Sequence, residues 1–374
     1  MRINALAVCL LAIIAAGCAR PYPPPGGERD TLPPRLVGTT PEPLAVVPGF
    51  RGAVVFQFDE RLSERNFSEA LVTVSPLDST LRVRRGRSEI RVEIDGGWRP
   101  DRVYRIVVLP GVRDMFGNAR EEPAEVVFST GPPVPATAVA GMVLDRLTGR
   151  PAQSPVVRAV RRGDEVSYIA VGDTAGFFSL RHLPMGVYDV AAFADLNRNR
   201  RHDAAEPVDG RQVSLGSDAD TVAVVFNVLA VDSTAPRVTR GEVVDSLHVR
   251  LIFDDHFDPA QSMAAASAEV HALADSSSYA TATRIVPGTV FERERRAAPA
   301  APPDTAAADT VTPPPPRQSQ QPQQPPLPTR ELVLELDRPL RPGRYSVTVR
   351  NVVNISGLAG EGVVVIEVQG PGDG

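Results

Sequence analysis

Val54–Ser63 reads VVFQFDERLS, and Val249–Asp258 reads VRLIFDDHFD. In both, apolar side chains alternate along the chain and an acidic pair follows. Alternation with period two marks a strand with one buried face, and the acidic pair starts a turn. Four more blocks recur around these two in the same order. DTLPPRLV (from Asp30) matches DSTAPRVT (from Asp232), and EIRVEI (from Glu89) matches LVLELD (from Leu332). WRPDRVYRIVV (from Trp98) matches LRPGRYSVTV (from Leu340). RDMFGNAREEPAEVVFSTG (from Arg113) matches VNISGLAGEGVVVIEVQG (from Val353). Ordered blocks of this kind are an internal repeat, so the chain is expected to hold two copies of one β-sandwich. In the first copy, strands are predicted at 53–58, 70–75, 89–94, 103–109 and 124–130, separated by turn residues.

The totals agree with an all-β chain. Its 374 residues carry 37 prolines and 29 glycines, the mark of many short strands and turns with some linker. There is no lysine, so all 40 basic residues counted as Lys or Arg are arginines, and the formal net charge is -5. That balance gives no basic surface for nucleic acid.

The N-terminus reads as a targeting segment. Arg2 supplies a positive end, and Ala5–Ala16 is an apolar run too short to span a bilayer but suited to a signal peptide. Ala15-Ala16-Gly17-Cys18 then resembles a bacterial lipobox. The expectation is a signal peptide over 1–17, cleavage before Cys18, and acylation of Cys18 as a membrane anchor. Cys9 leaves with the signal, so the mature chain can form neither a disulfide nor a cysteine zinc site. Residues 18–33 are a Pro/Gly linker that buries no core and favours extended geometry. At about 3.1 Å per residue it would hold the first domain up to roughly 45 Å from the lipid. Ala19 after the cysteine implies sorting to the outer membrane.

Phe56, Phe58, Asp59 and Glu60, then Pro100 and Tyr104, then Asp114, Gly117, Asn118 and Phe128–Gly131 form a recognisable set. It resembles the bacterial Ig-like domain of SbsA type. The resemblance covers residues 34–132 and, in a degenerate form, 233–370, where Asp255, Asn354 and Leu358 replace Glu60, Asp114 and Asn118. It implies spacer or adhesive modules at a cell surface. The second copy carries a proline-rich insertion, 293–329, at the place that the turn around Gly86 occupies in the first. That insertion is expected to be disordered with polyproline character. Tyr104 and Tyr345 are expected to pack in the cores and hydrogen-bond a nearby loop, resembling a tyrosine corner.

Between the copies, Gly141, Val143, Asp145, Gly149 and Pro151, then Asp173, Gly176, Phe178, Leu180, Leu183, Pro184, Gly186, Tyr188 and Val190, resemble the carboxypeptidase regulatory-like, or transthyretin-like, sandwich over 137–230. The full expectation is three tandem β-sandwich domains: Ig-like, transthyretin-like (prealbumin-like) and Ig-like.

The most polar stretch is DLNRNRRHDAAEP. Asp195, Asn197, Asn199, Asp203 and Glu206 occupy positions 1, 3, 5, 9 and 12 of a calcium loop, with the Arg201 carbonyl at position 7. Arg200 stands where such a loop has glycine, and Arg198, Arg200 and Arg201 bring opposing charge. The alternative is a polar loop whose Asn and Asp side chains cap their own turns. Asp59-Glu60 and Asp254-Asp255 read as turn formers rather than catalytic pairs, because adjacent residues on an extended chain face opposite ways.

No G-x-S-x-G, Walker, H-E-x-x-H or dinucleotide fingerprint occurs. The expected role is therefore non-enzymatic presentation of β modules at the cell envelope, with no catalytic residue, no certain cofactor, calcium as the one candidate, and an unidentified protein or glycan as ligand. A carbohydrate-binding accessory protein, an enzyme with an unrecognised site, and a scaffold recruiting partners through its prolines are the alternatives.

Overall fold

The computed structural model describes residues 29–297 and 325–370, apart from 66, 78, 164–165 and 275–276. Cys18, the signal segment, most of the 18–33 linker and 298–324 of the insertion lie outside the described residues. The protein is all-β, built of tandem β-sandwiches. Among the described residues, no helix is long and apolar enough to cross a membrane. The chain divides into two compact units, one comprising Met1–Val74 and Ser79–Pro132, the other Ser75–Asp78 and Pro133–Gly374.

The first unit is built from β1 (Leu36–Thr40), β2 (Val54–Phe58), β3 (Val72–Ser75), β4 (Leu81–Arg85), β5 (Glu89–Ile94), β6 (Val103–Val108) and β7 (Ala124–Ser129). One sheet runs β1-β2-β5-β4 and the other β3-β6-β7. The alternation in VVFQF does what it predicts: Val54, Phe56 and Phe58 are buried while Val55 and Gln57 are half-covered. Between the sheets, Trp98 and Tyr104 lie 5.3 and 5.6 Å from Phe128, and Phe50 lies 5.2 Å from it. The Trp98 indole donates to the Gly52 carbonyl at 2.9 Å, which satisfies its one buried donor.

The second unit opens with β8 (Ala138–Asp145), β9 (Pro155–Arg161), β10 (Ser167–Val171), β11 (Phe177–Arg181), β12 (Gly186–Ala194), β13 (Val208–Leu215) and β14 (Thr221–Val228). They make the sheets β10-β9-β12-β13 and β11-β8-β14 around a core of Phe178, Tyr188, Phe226 and their neighbours. β14 runs parallel to β8, with Val224 opposite Gly141. A Cβ at Gly141 would stand 1.7 Å from the Val224 carbonyl oxygen, so this close approach requires glycine.

Next come β15 (Val238–Val243), β16 (His248–Phe257), β17 (Ser267–Ala272), β18 (Ser278–Pro287), β19 (Thr329–Leu336), β20 (Gly343–Val353) and β21 (Ala359–Val368). Their order is β15-β16-β19-β18-β17-β20-β21. Position for position this is the order of the first unit, with one difference. Ten-residue β18 pairs with β17 through its first half and with β19 through its second, so it joins two faces that remain separate in the first unit. The repeat extends to single hydrogen bonds. Asp59 Oδ1 accepts from Arg35 N at 2.8 Å, and Asp254 Oδ1 accepts from Arg237 N at 2.8 Å. Within the second unit, Arg146 donates to Asp258 at 2.9 Å and to the Pro326 carbonyl at 3.0 Å.

Two details depart from the sequence reading. The sequence reading has the insertion begin as polyproline at Arg293. Instead the strand ends at Pro287, and Gly288–Ala297 is a helix, α1. Tertiary pairing explains it: Glu292 binds Arg250 at 2.8 Å, Glu294 binds both terminal nitrogens of Arg284 at 2.8 Å, and Phe291 lies 4.9 Å from the His248 ring. The tyrosine corner is also wider than expected. Tyr104 accepts from Arg99 N at 2.9 Å and Tyr345 donates to the Arg341 carbonyl at 3.0 Å. Tyr188 of the middle sandwich does the same, donating to the Pro184 carbonyl at 2.6 Å.

Candidate functional site

The chain enters the first sandwich beside two of its loops. Leu36, the first residue of β1, pairs with Phe58, the last of β2. Asp59 and Glu60 follow β2, and Leu62 bridges Asp114 in the loop after β6. This brings Asp30, Glu60 and Asp114 together, each offering a carboxylate oxygen within 4.8 Å of the others. Asp114 is fully buried. Its carboxylate accepts from the backbone amides of Phe116 (2.9 Å) and Asn118 (2.7 Å) and from the Asn118 side-chain amide (2.7 Å). The same Asn118 amide also donates to the Asp30 carbonyl at 3.1 Å, tying the loop to the incoming chain.

Asp59 turns away toward Arg35, as alternation requires, and Glu60 turns in. Burial, then the negative charges of Asp114, Asp30 and Asp59, push the Glu60 carboxyl above its ordinary range. A carboxyl that holds its proton more tightly when folded loses stability as pH rises from its ordinary value, near 4.5, through the raised one. Glu60→Gln is therefore expected to raise the unfolding midpoint of the first unit at pH 7.5 in chelator-containing buffer. The gain shrinks toward pH 4, where the glutamate is itself protonated. The fluorescence of Trp98, the sole tryptophan and part of this core, reads it out. A lowered midpoint at pH 7.5 would show that the ionised form is the stabilising one.

The second copy solves the same crowding differently. Asn354 stands where Asp114 stands, and its amide donates to Asp255 and to the Thr234 carbonyl. A neutral donor there replaces the third carboxylate. The paired residues Asp30/Asp232, Glu60/Asp255 and Asp114/Asn354 all lie in the matched blocks. The sequence comparison therefore held the members of this cluster, but treated them as separate turns. What it could not supply was their convergence.

The 195–206 stretch joins β12 to β13. Asp195 and Glu206 are buried, and Arg200 adopts φ +60 at position 6, the backbone that glycine adopts in a calcium loop. Asp195 accepts from the amides of Asn199 (3.0 Å) and Arg200 (2.8 Å), and Glu206 from those of Leu196 (2.8 Å) and Asp203 (3.1 Å). The side-chain nitrogens of Asn197 and Asn199 both meet Asp203, at 2.6 and 3.0 Å. Calcium would need the amide oxygens facing inward instead. Arg201 donates its amide to Asn199 Oδ1 at 2.6 Å. Burial depresses the Arg200 pKa and the nearby Asp195 charge opposes that shift, so a guanidinium already contributes positive charge beside this carboxylate.

Two hollows, of about 480 and 360 Å³, lie around α1 and between β18 and the 259–266 turn; neither is lined by the carboxylate cluster or the polar loop. Among the described residues, the exposed aromatic rings are Phe116 in the first unit and Phe177 in the second.

Comparison with known proteins gives one family match: a bacterial Ig-like domain, over residues 30–130. The match spans the first sandwich together with the incoming Asp30. No curated protein matches the chain. Solved structures similar to it include the major pilin SpaD of Corynebacterium diphtheriae, at 11% identity over 62% of this chain and 65% of that one, with a TM-score of 0.21. The N-terminal part of the bacterial S-layer protein SbsC is 14% identical over 44% of this chain and 41% of that one, with a TM-score of 0.20. A DUF3823 family protein of Bacteroides uniformis is 13% identical over 63% of this chain and all of that one, with a TM-score of 0.19. Likenesses of this size carry no functional inference.

Proposed function

We propose that this chain is a non-enzymatic lipoprotein of the bacterial envelope. Cys18 anchors it, residues 18–33 form a tether, and sandwiches over 34–132, 137–230 and 233–370 are presented for structural or adhesive contact. The observation that carries this reading is a series of three separate apolar cores downstream of a lipobox-like Ala-Ala-Gly-Cys. Each core closes on its own sheets, as load-bearing or spacing modules do. The bacterial Ig-like match to the first of them supports it.

The test is expression in a bacterium that processes lipoproteins, followed by intact mass and membrane fractionation, beside Cys18→Ser. The expected result is a lipid-sized mass increase and recovery in the membrane fraction, both lost in the variant. Several acyl chains at about 0.8 kcal/mol per buried methylene hold firmly. A soluble product with unmodified Cys18 would remove the anchor and with it the proposed location.

A further inference from the structure

The end of the first sandwich where the tether enters carries three strongly exposed apolar side chains close together in the fold. Leu32 is 56% exposed, Met115 58% and Phe116 65%. All three surround the carboxylate cluster. The Leu32 amide donates to Asp30 Oδ1 at 3.0 Å, the Phe116 amide donates to Asp114 Oδ1 at 2.9 Å, and oxygens of these two carboxylates lie within 4.8 Å of each other. The incoming chain and the loop tip thus hang from one set of side chains. Asp114 is fully buried, and Asp30 and Glu60 are half-buried. The exposed Arg113 closes the loop by donating to the Gly117 carbonyl at 2.6 Å.

The fold does not require these residues to be apolar. In the second copy, Thr234 stands where Leu32 stands and Ser356 where Phe116 stands, on an equivalent loop. There the Leu358 amide donates to Asn354 Oδ1 at 2.7 Å, as Asn118 does to Asp114. Ile355, opposite Met115, is half-buried. The apolar tip is therefore a property of the copy next to the tether and is absent from the copy farthest from it. Leu32, Met115 and Phe116 are grouped at one end, and a grouped exposed apolar patch marks a contact surface.

Chain length says what that occupant is. Arg29 follows Cys18 by 11 residues, which span at most about 40 Å fully extended. Ser129, the last residue of β7, lies at the opposite end of the sandwich. An anchor only 11 residues before Arg29 keeps the lipid surface at millimolar effective concentration before the tip, so weak insertion suffices.

We propose that Leu32, Met115 and Phe116 form a bilayer-docking tip that seats the first sandwich on the membrane holding its own anchor. This rests on Cys18 being that anchor. The docked state orients the first sandwich, whereas a free tether would leave it unoriented.

The experiment places a fluorophore at the tip. Phe116→Trp is made in the full chain, expressed with lipoprotein processing. The purified acylated protein is reconstituted into phosphatidylethanolamine–phosphatidylglycerol vesicles with or without brominated acyl chains. The unsubstituted protein, whose Trp98 is buried, supplies the blank. A side chain seated about 5–10 Å into the headgroup–acyl boundary gives blue-shifted emission and is quenched by bromine. That result, together with loss of quenching when Met115→Ser is added, is expected. Vesicle-bound protein whose position-116 emission stays red and unquenched would overturn the docking and leave the anchor standing. Protein that carries no lipid and stays off the vesicles would overturn both, and the intact mass separates the two failures.

Discussion

Gly141→Ala is expected to abolish folding of the middle sandwich. The added methyl would lie 1.7 Å from the Val224 carbonyl oxygen and 2.8 Å from its carbon. Both atoms are backbone, so no rotamer relieves the contact. β8 is the central strand of β11-β8-β14, paired antiparallel to β11 and parallel to β14. Moving it away from Val224 breaks one ladder or strains the other. A clash of this kind falls among the few mechanisms that exceed about 4–5 kcal/mol, which is most of a domain's stability. Differential scanning calorimetry of the full chain should lose the transition belonging to this sandwich. The Trp98 fluorescence transition, which reports the first unit, should keep its midpoint. Because the chain has several cores, each transition is followed by its own probe. A calorimetric profile like that of the unsubstituted protein would show that β8 and β14 do not approach this closely.

Phe128→Ala is the second large expectation. Phe128 is fully buried on β7, stacked on Tyr104 at 5.6 Å and edge-on to Trp98 at 5.3 Å and Phe50 at 5.2 Å. Truncation removes the ring on which the other three converge and leaves a cavity that two flanking sheets cannot close. The cost is about 3–5 kcal/mol. With a urea dependence near 2 kcal/mol per molar, the Trp98 midpoint should fall by about 2 M, and native emission should shift as the indole loses a neighbour. A fall under 0.5 M, on the order of 1 kcal/mol, would mean the site collapses onto the space. The calorimetric transitions of the second unit should not move, because Phe128 contributes to the first core alone.

Much of this architecture was legible before any coordinate. Val54, Phe56 and Phe58 alternate with Val55 and Gln57 because a pleated strand turns successive side chains to opposite faces. The repeat of VVFQFDERLS in VRLIFDDHFD survives down to one hydrogen bond, Asp59 to Arg35 and Asp254 to Arg237. That bond is local to a strand end, and a local requirement leaves a local trace. Tyr104 and Tyr345 carry the same kind of trace, since each closes a loop only four or five residues upstream.

What escaped reading depends on contacts distant in sequence. The helix over Gly288–Ala297 escaped because Glu292 and Glu294 find their partners in Arg250 and Arg284, on distant strands. Glu60 looked like half of an adjacent pair; its actual neighbours are 30 residues before it and 54 after.

The sequence by itself determined the all-β class, the repeat and five of the seven strands of its first copy, because period and turn chemistry act over a few residues. Only the tertiary structure decided that Asp30, Glu60 and Asp114 share one corner, and that Leu32 and Phe116 stand beside it. Convergence of that kind is fixed by how two sheets close over a common core, and no stretch of chain records it alone.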